Sequence, residues 1–173
     1  MKKKVSDSYT EQVQLLLQGN MNGYHRLFGG KLMEWIDVVA AVAARRHSGK
    51  NVTTVVVDEL QFKGPAYANE TLLLTGWVTY VGRTSMEVCV KTYVEELSGE
   101  RRLINTAYVV LVALDENEKP NEVPGLILET EQEKADWEAG KRRNELRKQR
   151  KAEKYLKIGK ELVEMISEIL YNK

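Results

Sequence analysis

The spacing of apolar and polar residues changes several times along the chain, and each change predicts a different element. From Tyr9 to Leu17 the run YTEQVQLLL is short and is followed by the turn signal Gly19-Asn20. It reads as a first strand, with a helix as the other reading of so short a run. Between Leu27 and Arg46 the pattern becomes long and almost continuously apolar, LFGGKLMEWIDVVAAVAARR, and it closes on a basic pair that suits a helix C-terminus. A helix that is apolar on nearly every side is a buried helix. Alanines at 40, 41, 43 and 44 keep it thin, so that something can wrap closely around it.

Four runs dense in Val, Thr, Tyr, Leu and Ile follow, at 52–62, 70–81, 84–97 and 101–115. The last three are joined only by Gly82-Arg83 and by Ser98-Gly99-Glu100. Connections that short make antiparallel neighbours, because a parallel crossover needs a dozen residues or more. In the run 84–97, Met86, Val88, Val90 and Val94 share one face, and Glu87, Cys89, Lys91 and Glu95 share the other. The alternation predicts one packed face and one wetter face. A single apolar helix beside an antiparallel meander predicts an α+β fold, with a curved sheet around the helix and a partner covering the rest of it. After Pro124-Gly125 the stretch 131–170 reads as helix with two weak points, Gly140 and Gly159. Its last part is amphipathic, with Leu156, Leu162, Ile166, Ile169 and Leu170 near one face, and is expected to pack on other copies of the chain.

Composition narrows the setting. The 173 residues suit one domain with a real core, and 43% apolar with 29% charged residues argues against disorder. No run reaches the roughly 18 apolar residues of a membrane span, and MKKKVSDSYTEQVQ lacks the apolar stretch of a signal peptide. The single cysteine, Cys89, cannot form an internal disulfide, which points to the cytosol. The net charge of +1 conceals +8 between Lys141 and Lys160 against −7 elsewhere. Such a tract is usually a solvated helix face; it would also serve to steer a polyanionic nucleotide, or to bind nucleic acid or an anionic surface. Without aromatic interleaving or a nucleic-acid-binding motif, no nucleic-acid partner is expected.

Asp37 is the odd residue of the apolar helix. From Leu32 to Ala44 the only polar side chains are Glu34 and Asp37, and a carboxylate expected to be buried with no adjacent Lys or Arg has the character of a catalytic base. Glu34, one turn earlier, reads as solvated or salt-bridged. Gly29-Gly30 opens the helix where unpaired N–H groups and the positive dipole end would receive a developing oxyanion. Asn22-Gly23 alone is a turn dipeptide. His25 and His47 stand in no catalytic motif and read as surface residues, Cys89 has no acid–base neighbour, and Ser85 lacks the G-x-S-x-G elbow. No Cys/His cluster has metal-ligand spacing, so no metal is expected.

The blocks NGYHRLFGGKLMEWID, NVTTVVVDELQF, VGRTSMEV and VALDENEKPNEVPGL, in this order, resemble the hotdog-fold acyl-CoA thioesterases, specifically the brain-type acyl-CoA hydrolases and their bacterial relatives. The resemblance runs from about Tyr9 to about Arg150. It implies a hotdog domain over 1–128, a long central helix cradled by an antiparallel sheet, with 129–173 as a charged helical extension. It further implies dimers joined edge to edge, commonly as trimers of dimers, and hydrolysis of the acyl-CoA thioester at two sites per dimer interface without a cofactor, CoA being part of substrate and product. By position it makes Asp37 the general base or nucleophile, Asn22 a catalytic residue supplied by the opposite subunit, and the Gly30 N–H the oxyanion donor beside a substrate-contacting Gly29. Gly82, Arg83, Thr84 and Ser85 match the segment along the pantetheine and nucleotide of CoA. A hotdog dehydratase or hydratase would need a histidine paired with an acid, and the central helix, read as Leu27–Arg46, carries no histidine, nor does the strand before it hold a histidine motif. A non-catalytic acyl-CoA sensor would carry a DNA-binding module, which neither end resembles.

Overall fold

The computed structural model describes residues 1–171, and the side chains of all of these except 164 and 166–171. A short strand β1 (Lys2–Lys4) and a 3-10 turn lead into β2 (Thr10–Leu15), the expected first strand with its ends trimmed. The helix α1 (Gly29–Ser48) follows, then β3 (Asn51–Phe62), β4 (Thr71–Val81), β5 (Ser85–Glu95), β6 (Arg101–Leu114), β7 (Gly125–Ile127) and a second helix, α2 (Glu131–Tyr171). Leu27, expected inside α1, is extended instead, and its N–H donates to the Ala66 carbonyl at 2.8 Å. The main sheet is antiparallel in the order β2-β4-β5-β6-β3. The consecutive hairpins β4-β5-β6 arise from the two short connections, while β3 returns to the far side of β6. Apart from this sheet, β1 and β7 form a parallel pair, too short to leave a periodic signal.

One face of the sheet holds α1. Leu32, Trp35, Ile36, Val39, Ala40, Ala43 and Ala44 pack there with Leu72, Leu74, Val78, Met86, Val88, Val90, Val109 and Leu111. Burial stops halfway round the helix, however. Met33, Asp37 and Val38 are exposed, so the carboxylate expected to be buried is open to solvent in a single protomer, on the side of the helix expected to be covered by a partner. Five strands reach around only part of a helix, and the remaining face stays open.

The other face departs further from expectation. Glu87 and Cys89, expected on a wetter face, are buried beneath the first half of α2. The Arg143 guanidinium bonds Glu87 at 2.7 and 3.1 Å, and Arg147 bridges Glu87 at 3.0 Å and Asp58 of β3 at 2.6 Å. The Thr79 hydroxyl donates to the same carboxylate at 2.9 Å, and Arg143 lies 3.7 Å over the Tyr108 ring. Burial alone would push the Glu87 carboxyl up, but these two guanidiniums and the hydroxyl hold it below the ordinary carboxylate value. Part of the basic tract is therefore spent inside the fold. Gly140 is no weak point, since α2 continues through it. A methyl there would lie 2.6 Å from Tyr80 Cβ, so the bare backbone lets α2 close onto the sheet.

Of the apolar face expected on the tail, Leu156 and Leu162 are exposed, whereas the side chains of Ile166, Ile169 and Leu170 lie outside the described residues. No described helix is long and apolar enough to cross a membrane.

Candidate active site

The predicted site residues fall into two groups at different places on one protomer. The first group gathers at the start of α1. Asn22 heads the loop before it: its side-chain oxygen accepts the N–H groups of Tyr24 at 2.9 Å and Arg26 at 3.2 Å, and its own N–H donates to the Arg26 carbonyl at 2.7 Å. His25 sits in this turn with φ of 57°, exposed as expected. Phe28 precedes the helix without a side-chain cap, and no acceptor among the described residues bonds the N–H of Gly29 or Gly30. Two donors at the positive end of a 20-residue helix are thus left open. A methyl on Gly30 would meet the Phe28 ring at 2.6 Å, and one on Gly29 would rest 3.5 Å from the Phe62 ring. Behind this helix end a mostly apolar cavity of about 390 Å³ is lined by Asn22, Leu27, Leu32, Phe62, Ala66 and Ile104, among others.

The second group lies higher on α1. Asp37 is exposed, and its carboxylate accepts the Thr54 hydroxyl of β3 at 2.6 Å. That contact pins the carboxylate, and sequence reasoning missed it. Glu34 is paired with Lys31 at 2.7 Å on the surface, as expected. In the sheet, Thr53 lies opposite Val112, and Val112 lies opposite Ser85. The turn holding Gly82, Arg83, Thr84 and Ser85 therefore starts two strand spacings, about 10 Å, from the Asp37–Thr54 pair. It is fixed by Gly82 N–H to Ser85 O at 2.8 Å and by Val123 N–H to Arg83 O at 3.0 Å. The Arg83 side chain reaches mostly into solvent, with Glu122 3.8 Å away.

Asp37 and Gly30 share a face of α1 but stand seven residues apart, which at 1.5 Å per residue separates them by about 10 Å along the axis. No single carbonyl touches both within one chain. Beside them, β3 is an edge strand with a free side. Val55, Val56, Val57 and Phe62 are substantially exposed along it, continuing the open apolar face of α1.

Two residues without a site role differ from the sequence reading or add to it. His47 is buried near the end of α1, with Nε2 2.8 Å from the Pro124 carbonyl, and is not a surface residue. Burial pushes the Cys89 thiol up to about 12, which leaves it inert.

A family model of the thioesterase superfamily matches residues 24–98. YkhA of Bacillus subtilis, named as an uncharacterized acyl-CoA thioester hydrolase, is 43% identical over 113 residues, 65% of this chain and 66% of that protein. An acyl-CoA hydrolase from Staphylococcus aureus, solved with butyryl coenzyme A, coenzyme A and coenzyme A disulfide, superposes with a TM-score of 0.85 at 33% identity, covering 91% of this chain and 97% of the other. This chain belongs to the hotdog-fold acyl-CoA thioesterases. A second solved member, a hexameric acyl-CoA thioesterase, matches with a TM-score of 0.83 at 39% identity over 87% of this chain and 97% of its own. The Staphylococcus enzyme has also been solved as single alanine variants of an asparagine, an aspartate and a threonine. Against longer mouse thioesterases, this chain spans only 20% to 37% of their length.

Proposed function

We propose that this protein hydrolyses the thioester of acyl-coenzyme A to free acid and CoA, at sites that two protomers build together. The observation that carries the reading is the separation of the two groups on α1: Asp37, on the open face and bonded to Thr54 where its neighbour Glu34 is paired with Lys31, is about 10 Å from the uncapped N-terminus. A second copy related by a twofold axis removes that gap. If the free edges of two β3 strands pair antiparallel about a centre near residue 58, Phe62 of one protomer faces Thr54 of the other. The Gly30 N–H and Asn22 of the first protomer then approach Asp37 of the second.

In such a site the Gly30 N–H receives the negative charge that develops on the thioester oxygen. Asn22 has its side-chain oxygen engaged by two backbone N–H groups, so its amide NH₂ is the end left for substrate, as a donor to the carbonyl. Asp37, steadied by Thr54, activates water as general base or attacks the carbonyl itself to form a mixed anhydride that water opens. In either route the CoA thiolate leaves. The turn 82–85, on the sheet side of Asp37, lies where the CoA arm would run, with Arg83 free to meet its phosphates. No resident cofactor enters the scheme. The three alanine variants of the Staphylococcus enzyme lie at intervals of fifteen and seventeen residues, the intervals between Asn22, Asp37 and Thr54 here, which supports these roles. A dimer, or a hexamer like the solved relative, follows from the shared site, and the lone buried cysteine fits a cytosolic setting.

The test is complementation. Asp37→Asn is expected to lower turnover roughly 10²- to 10⁴-fold, the usual worth of a positioned base, and Asn22→Ala to lower it too. After subunit exchange, a mixed dimer carries both lesions in one site and neither in the other, so activity should return toward about a quarter of wild type. Proven exchange without recovery would assign each site to one chain, and full turnover by Asp37→Asn would overturn the mechanism.

A further inference from the structure

Beyond Arg150, whose guanidinium still lies 3.8 Å from Asp58, α2 leaves the sheet, and every described side chain from 151 to 165 is exposed. This is no uniformly polar rod. Tyr155, Leu156, Ile158, Leu162, Val163 and Met165 are each between 48% and 67% exposed. At 100° per residue they occupy one half of the helix circumference, with Gly159 among them and Lys157, Lys160 and Glu161 on the opposite half. Tyr155, Leu156, Gly159 and Val163 line an apolar depression of about 610 Å³. A contiguous apolar face of this kind marks an interaction surface.

Two regularities say what covers it. The seam Tyr155, Ile158, Leu162, Met165 is symmetric about residue 160, with apolar positions five and two residues before it and two and five after it. The formal charge of the sequence changes sign next to the same point: residues 151–160 carry +3, and residues 161–171 carry −3. An antiparallel copy of the segment would place Tyr155 against the copy's Met165, Ile158 against its Leu162, and each basic half beside an acidic half. A parallel copy would align like charges. We propose that residues 151–165 carry a self-association surface on which the helices of two copies of this chain pair antiparallel about a twofold axis near Lys160. Gly159, with nothing within 4 Å of the position a Cβ would take, leaves room for close approach at the centre.

Cross-linking in the full chain tests the pairing independently of turnover, so its outcome does not depend on the proposed hydrolysis. The native Cys89 thiol is buried and does not react. Tyr155→Cys and Met165→Cys are made separately and treated with a short bis-maleimide, alone and as an exchanged equimolar mixture. The expected result is a covalent dimer in the mixture, abolished by adding Ile158→Glu and Leu162→Glu, with little product from either variant alone. Strong linkage of each variant with itself would mean parallel helices and overturn the arrangement. Absence of linkage in every mixture, or shielding of the cysteines only when anionic lipid vesicles or a foreign protein is added, would overturn self-association.

Discussion

Thr54 contributes a single hydroxyl, yet it fixes which way the Asp37 carboxylate points. A hydrogen bond to a charged group is worth about 1.5–3 kcal/mol, so Thr54→Val should slow thioester hydrolysis by roughly ten- to a hundredfold, less than Asp37→Asn, in steady-state assays with acyl-CoA. The sequence made Asp37 conspicuous, because a carboxylate interrupts an otherwise apolar run. It could not make Thr54 conspicuous: in NVTTVVV a threonine is one more β-branched strand residue, and only the register of β3 beside α1 brings it to the carboxylate. Nor could periodicity show that Asp37 is exposed, since the number of strands around a helix decides which side stays open. Its removal therefore relieves no burial in a single protomer. His47 carries the second prediction at this scale. Burial pushes its imidazole below the ordinary 6.5, with the Lys3 charge adding to the effect and the Pro124 carbonyl opposing it. The unfolded chain binds a proton near 6.5 that the folded chain resists, so this contribution is complete above 6.5 and is lost as pH falls from there toward the lower folded value. His47→Gln should shrink the difference between urea midpoints measured at about pH 7.5 and about pH 5.5.

Among the elements, the pairing of α2 with the sheet's outer face was the least legible. Glu87, Cys89, Lys91 and Glu95 alternate with valines, and by period alone they read as a hydrated face. What the period lacks is long-range information: Arg143 and Arg147 lie 56 and 60 residues from Glu87 in the chain. Order and direction of β4, β5 and β6 were readable because short connections leave no other choice, whereas the place of β3 beside β6 depends on closure around α1. Glu87→Gln would strip the part-buried Arg143 of its carboxylate and leave Arg147 with Asp58 alone, and should destabilise by about 3 kcal/mol in denaturant titrations. Gly140→Ala would press a methyl into Tyr80. A typical overpacking cost of about 1–3 kcal/mol exceeds the alanine helix preference of up to about 1 kcal/mol, so a net loss of stability is expected although the helix itself is favoured.

For the whole molecule, the free edge of β3 and the open face of α1 are adjoining apolar surfaces, and a lone protomer would expose both to water. Multi-angle light scattering at micromolar concentration should show a dimer or a larger assembly; a stable monomer would remove the basis for a shared site. Deleting residues 152–173 should alter assembly or stability while turnover persists, because Arg143 and Arg147 remain in place. Those two arginines have one more effect, on the order in which the protein is made. The acids at 58 and 87 leave the ribosome well before the cations at 143 and 147. Until α2 has been synthesised, the nascent sheet holds carboxylates that cannot be buried cheaply, so its outer layer should lock only once Arg143 and Arg147 have emerged. A stalled or prematurely ended chain would then be recognisable to the cell's proteases by the same two uncompensated charges.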